Sequence, residues 1–153
     1  MPSWGDFKAL EPEMAAQVER LFGVRRHKTI ATLRADGSPR ISGIECAFDQ
    51  GQLSFGSMSQ SRKLADLLRD PRFALHSPTT DPIEGSESAW KGEAKISGRA
   101  VPNGAIEGEG TPEGEVFVAD IFEVVHVHLD ETATKLVVEW WTPSEGLHRV
   151  ERT

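Results

Sequence analysis

The sequence is poor in cysteine, in basic charge and in long apolar runs, and each shortage removes a class of protein. With Cys46 as the single cysteine in 153 residues, no intrachain disulfide can form. A reducing interior suits such a chain, and a cytoplasmic location is expected. Lys and Arg number 17 against 24 Asp and Glu, a formal net charge of -7. Affinity for a nucleic-acid backbone comes from cations displacing counterions, so no nucleic-acid partner is expected and any anion site must be local. No apolar run approaches the roughly 20 residues that cross a bilayer. The opening MPSWGDFKALEPEM also lacks a basic head followed by an apolar core, so neither a membrane partner nor a leader segment is expected.

What is present suffices for one core: 38% of the residues are hydrophobic. A single domain over residues 1–153 is expected, with residues 1–24 as a helical segment packing on it. Leu10, Met14, Val18, Leu21 and Phe22 are spaced to line one helical face, and Gly23 is placed to end it. From Thr29 the pattern turns to strands. TIATLR, RISGIECAF and QLSFGS, separated by ADGSP and DQG, predict an antiparallel meander. Ser61 is a reasonable N-cap for a short helix with Leu64, Leu67 and Leu68 as its apolar stripe, closed by Asp70-Pro71.

RFALHS and EAKISGRAV continue the strands, with the polar loop PTTDPIEGSESAW between them. PNGAIEGEGTPEGE is rich in Gly, Pro and Glu and is expected to be a surface loop. VFVADIFEVVHVHL and KLVVEWWT make a last hairpin, followed by a polar tail, GLHRVERT. The expected fold class is mainly β: a six- to seven-stranded antiparallel barrel or sandwich with two helices.

The stretch GSMSQSRKLADLLRDPRF, Gly56 to Phe73, sets two cations at the start of a helix. Cations there oppose the positive end of the helix dipole at a cost of about 0.3–1 kcal/mol each when exposed. A bound phosphate would compensate. Free backbone N–H groups, the hydroxyls of Ser57, Ser59 and Ser61, and the heads of Arg62 and Lys63 could converge on it, with Gly56 allowing close approach. Solvated surface cations beside turn-forming serines are an equal reading of the spacing alone.

The order ATLRADGSPRISG, LSFGSMSQSRKLADLLRDPRFAL, KISGRAV resembles the pyridoxamine-phosphate-oxidase-like, FMN-binding split-barrel family. The resemblance runs from about Thr29 to Val101, and Ser-Arg-Lys opening a helix that ends in Asp-Pro is its most specific part. It implies a split β-barrel, a homodimer with cofactor clefts between subunits, and FMN as cofactor. It also implies that Gly56, Ser57, Arg62 and Lys63 lie at the phosphate, with Ser61 supporting the turn. Ser42, Gly43, Ile44, Glu45 and Cys46 would run along the isoalloxazine ring, largely through their backbone.

The sequence departs from the oxidase pattern at three places. The family's second strand carries an arginine and a lysine toward the cofactor, where this chain reads Ser42-Gly43-Ile44-Glu45-Cys46-Ala47. Gly92-Glu93 replaces an arginine-glutamine pair, and WWTPSEGLHRVERT has no match to the substrate signature. The resemblance therefore implies a divergent flavin or deazaflavin oxidoreductase rather than a true pyridoxamine-phosphate oxidase, moving hydride between cofactor and a small-molecule substrate. The deazaflavin coenzyme F-420 is the alternative cofactor, and a non-catalytic flavin or haem carrier the alternative role.

No catalytic triad stands out, and Cys46 in an apolar strand is expected to be an inert core thiol. His126 and His128 share a strand face, but without a nearby third ligand they make an incomplete metal site, so surface or pairing roles are expected and no metal. His76 is expected to finish its strand. Trp140 and Trp141 point to opposite faces, one toward the core. Arg25-Arg26-His27-Lys28 is expected to cap the preceding helix, or else to receive the acidic tail of a deazaflavin coenzyme.

Overall fold

The computed structural model describes residues 1–106 and 114–153. Two helices come first, where one is predicted. Ser3 caps α1 (Trp4–Leu10): its hydroxyl accepts from the Asp6 amide at 3.1 Å, and the Asp6 carboxylate accepts from the Ser3 amide at 2.9 Å. Proline cannot continue a helix but suits the first position of one, so the chain breaks at Glu11 and α2 (Pro12–Phe22) begins at Pro12. Leu10 consequently ends α1 and is exposed, while Met14, Ala15, Val18, Leu21 and Phe22 form the buried face of α2. Trp4, Phe7, Phe22, Phe48 and Trp141 fasten this helical pair to the sheet, with ring centroids 4.7–5.9 Å apart.

Nine strands follow among the described residues: β1 (Lys28–Leu33), β2 (Pro39–Ile44), β3 (Cys46–Asp49), β4 (Gln52–Met58), β5 (Arg72–His76), β6 (Glu93–Ala105), β7 (Gly114–Leu129), β8 (Leu136–Thr142) and β9 (Gly146–Arg152). Every pairing is antiparallel. The order along the sheet is β2-β1-β5-β6-β7-β4-β3, with β8 beside β7 and β9 beside β8. RISGIECAF, expected as one strand, changes partner at Glu45: β2 pairs with β1, and β3 pairs with β4. The two ends of the seven-strand path are therefore joined by a single residue, and the sheet has to curl until its edges meet. This is the split barrel.

Ile30, Leu53, Phe55, Leu75, Ile96, Phe117, Ile121 and Val124 fill the interior. Three further expectations change. GLHRVERT is β9, a paired strand rather than a tail, because its register with β8 runs without interruption from Gly146 to Arg152. Pro102–Ala105 and Gly114–Glu115 extend β6 and β7 into the expected loop, whose remaining residues 107–113 lie outside the described ones. Leu68 is exposed, leaving Leu67 as the buried anchor of α3 (Arg62–Arg69).

Gly92, one residue before β6, has φ of +94°, and a Cβ built there would lie 1.9 Å from the Val127 carbonyl oxygen. Only glycine lets the chain enter the sheet there, which explains the loss of a polar side chain at this point of the family pattern. Gly92→Ala is expected to destabilise the protein by about 2 kcal/mol or more, read as a lowered thermal midpoint in a circular-dichroism melt.

Candidate functional site

The residues expected to hold a cofactor gather where the barrel closes. Ser61 is the N-cap of α3, its hydroxyl accepting from the Leu64 amide at 3.2 Å, and the helix start is tied to β4 by the Ser61 amide donating to the Met58 carbonyl. Gln60, in this turn, takes a left-handed φ of 65°. From the first turn of α3, Lys63 reaches back to β2, where its ammonium donates to the Gly43 carbonyl at 2.9 Å. Two expected site residues, 20 positions apart in sequence, are thus in direct contact.

The other expected residues divide by the face they occupy. Glu45 and Gly56, with Cys46, Ala47, Phe55 and Val116, line a shallow depression of about 300 Å³. At Gly56 a Cβ would stand 3.2 Å from the Ile106 side chain, so a larger residue would crowd this wall. Burial pushes the Cys46 thiol up to about 11, with Lys28 nearby opposing the shift. It stays protonated at neutral pH and makes a poor nucleophile, as expected. Ile44 is buried in the core and Ser42 half-buried, so Ile44 can meet a ligand only through its backbone. Ser57 turns inward: it is 1% exposed, and its hydroxyl is buried with no hydrogen-bond partner among the described residues. Ser59, by contrast, is exposed.

Arg62 lines a second depression, of about 500 Å³, with Arg34, Asp36, Arg40 and Arg69. Its floor is a buried carboxylate. Asp66 accepts from Arg40 Nε at 2.7 Å, Thr32 Oγ1 at 2.8 Å and Arg69 at 2.9 Å. Arg69 also donates to the Leu33 carbonyl. Burial pushes the Asp66 carboxyl up, but the hydrogen bonds from Arg40, Thr32 and Arg69 outweigh it and hold it below its ordinary value. Arg40 is the residue that sequence reasoning missed. The stretch Ser42–Ala47 lacks the family's two cofactor-contacting cations, yet β2 begins Pro39-Arg40, two residues before that stretch.

The basic cluster Arg25–Lys28 does not cap α2, whose last turn carries Arg20 and whose end is Gly23. Lys28 is buried and donates to the Arg25 and Arg26 carbonyls, while Arg26 and His27 lie 3.9 and 3.7 Å from the Glu45 carboxylate. Trp141 is in the core and Trp140 stacks on His148 at 5.3 Å, as the alternation predicts. His76 ends β5, its Nδ1 2.6 Å from the Ser77 carbonyl oxygen. His126 and His128 do have a third potential ligand close by, Glu139 of β8, contrary to expectation.

A barrel closed at a one-residue corner, with a Ser-Arg-Lys helix start bonded across it, is matched by a family model described as pyridoxamine 5'-phosphate oxidase over residues 13–143. The chain belongs to this family. Three solved structures share the family fold. A pyridoxamine 5'-phosphate oxidase-related, FMN-binding protein from Nostoc punctiforme superposes with a TM-score of 0.63 at 11% identity, over 94% of this chain and 96% of that one. PhzG from Burkholderia lata, in complex with tetrahydrophenazine-1-carboxylic acid, gives 0.62 at 12% identity over 95% and 90%. An F420 reductase gives 0.50 at 18% identity over 67% and 91%. No curated protein sequence matches the chain.

Within the family fold, Asp66 decides how α3 sits. A carboxylate whose value is depressed by folding stabilises the protein above its unfolded value of 3.8, and that stability is lost as pH falls through the folded value. The thermal midpoint is therefore expected to fall on acidification below about pH 4. Asp66→Asn should remove the Asp66 share of this acid limb, leaving that of Asp70 and the other depressed carboxylates, and cost about 3 kcal/mol at neutral pH, because Arg40 keeps its charge without a partner. Denaturant unfolding at neutral and acidic pH checks both.

Proposed function

We propose that the protein binds FMN at the corner formed by β2, β3, β4 and the start of α3, and uses it as an oxidoreductase on a small organic substrate. The observation that carries this reading is the bond from Lys63 to the Gly43 carbonyl, which sets the Ser-Arg-Lys helix start against the strand expected along the ring. Arg62 and Lys63, with the free N–H groups of α3, would hold the phosphate. Gly43, Ile44 and Glu45 would offer backbone to the ring, and Gly56 the space beside it. When bound, the flavin supplies hydride transfer, and the chain's own residues orient it and shape the depression over Glu45, Cys46 and Gly56.

The substrate is not pyridoxamine phosphate in this reading. Glu93 replaces the family's glutamine, and the C-terminal segment is occupied in the β8–β9 ladder, with His148 against Trp140. A homodimer completes the cleft. Its support is Ile41, 75% exposed, at a depression of about 510 Å³ walled by β1, β5, β6 and β7. A deazaflavin is the second reading, favoured by Arg26 and His27 standing beside Glu45, where an acidic coenzyme tail would find a positive rim.

Absorbance and fluorescence titrations with FMN and with the deazaflavin coenzyme test the reading directly. FMN is expected to saturate one site per chain with a shifted flavin spectrum. Arg62→Ala combined with Lys63→Ala should weaken it about 100-fold or more, since charge-assisted bonds to a phosphate contribute about 1.5–3 kcal/mol apiece. Failure to bind either cofactor, or unchanged affinity in the double variant, defeats the proposal.

A further inference from the structure

The far end of β7 carries a second constellation, independent of the flavin site. Val116, near the start of β7, pairs with Gly56 at the barrel corner, whereas His126 and His128 lie near its other end. The two histidines project from one face of the strand, with ring centroids 4.5 Å apart. The β7–β8 register places Glu139 opposite His126, and its carboxylate oxygen lies 2.6 Å from His128 Nε2. One ligand atom from each of the three residues falls within 4.8 Å of the other two.

A structural ion pair between His128 and Glu139 accounts for part of this arrangement, but it leaves His126 unexplained. His126 is 6% exposed, and its Nε2 is buried with no hydrogen-bond partner among the described residues. An unpaired buried nitrogen is destabilising, so the fold keeps it at a penalty unless something binds there. The His128 ring is anchored as metal-ligating imidazoles usually are. His128 Nδ1 lies 2.9 Å from the Leu129 carbonyl oxygen. Anchors of this kind orient a ring and point its other nitrogen at the ion.

We infer that His126, His128 and Glu139 form a three-ligand site for a divalent first-row transition ion of the zinc, cobalt or nickel class. Two imidazoles and a carboxylate are a donor set suited to these ions. Tetrahedral bonds of about 2.0–2.2 Å need donors about 3.4 Å apart, so the His128–Glu139 contact opens by less than 1 Å while His126 draws in. The three residues border a cavity of about 610 Å³ between α2 and the β7–β9 ladder, also lined by Glu13, Gln17 and Trp90. A fourth position facing this space is open to water or to a small ligand, the arrangement of a reactive rather than a closed structural site.

Titration of the chelator-stripped full chain with Co²⁺, followed by displacement with Zn²⁺, tests the inference without reference to flavin. One Co²⁺ per chain is expected, with visible d–d absorption of low-symmetry tetrahedral type, and Zn²⁺ should raise the thermal midpoint. His126→Gln and Glu139→Gln should each weaken uptake at least about 10- to 100-fold. His148→Gln, a histidine stacked on Trp140, should leave it unchanged. X-ray absorption of the Co²⁺-loaded unmodified chain should show two imidazoles, a readout that survives even where a variant fails to fold. Absence of uptake, undiminished uptake in Glu139→Gln, or a coordination shell without imidazole overturns the assignment.

Discussion

The structure depends on one covalent constraint, the single residue between β2 and β3. Because β2 and β3 end opposite sides of the seven-strand path, Glu45 can join them only if the sheet rolls up. Rolling encloses a core in which Phe55 meets Phe73 and Phe117 at centroid distances of 5.1 and 5.9 Å. It also brings Gly43, Glu45, Cys46 and Gly56 to one corner, because β2, β3 and β4 converge there. Glu45, Cys46 and Gly56 are neighbours already through the β3–β4 hairpin, whereas closure of the barrel is what sets Gly43 of β2 against Lys63 at the start of α3.

A buried charge secures the helix at that corner. Asp66 faces inward from α3, where a charge without partners would be expelled, and the fold satisfies it with Thr32 from β1, Arg40 from β2 and Arg69 from its own helix. The bonds from Thr32 and Arg40 to Asp66, with the bond from Arg69 to the Leu33 carbonyl, hold α3 to the sheet in one orientation. That orientation brings Lys63 to the Gly43 carbonyl and turns Arg62 toward the arginine-lined depression. Arg69, in the last turn, lies at the favourable end of the helix dipole, whereas Arg62 and Lys63 lie at the unfavourable end. Lys63 recovers part of that cost through its carbonyl contact. An anion beside Arg62 would recover more.

Much of this was legible in one dimension, because it rests on local rules. Strand-type residues between turn formers marked β1, β4, β5 and β8; Ser61 and Asp70-Pro71 marked the ends of α3; and the paired tryptophans divided between core and a stack on His148. The misses have physical causes. Leu10 fits a helical stripe by spacing, but Pro12 restarts the helix and puts Leu10 outside it. GLHRVERT has too few apolar residues to signal a strand, since a ladder at the outer rim of a sheet is held by backbone bonds rather than burial. The altered contact read at Gly92-Glu93 carries a backbone constraint that spacing does not show, since a Cβ at Gly92 would meet the Val127 carbonyl. Arg40 was present in the sequence, but only its distance from Asp66 shows that it is engaged.

By itself the sequence determined the local elements, their antiparallel connections and the chemistry of the Ser-Arg-Lys helix start, since capping, turn formation and strand alternation act over a few residues. The tertiary structure alone decided which distant groups meet. It joined Gly43 to Lys63, buried Asp66 among three donors on three elements, and set Glu139 beside His126 and His128. Register across a hairpin and closure of a barrel are properties of the assembled sheet. A histidine pair read along β7 looks incomplete because its third partner comes from the neighbouring strand, through a pairing that no residue of β7 encodes alone.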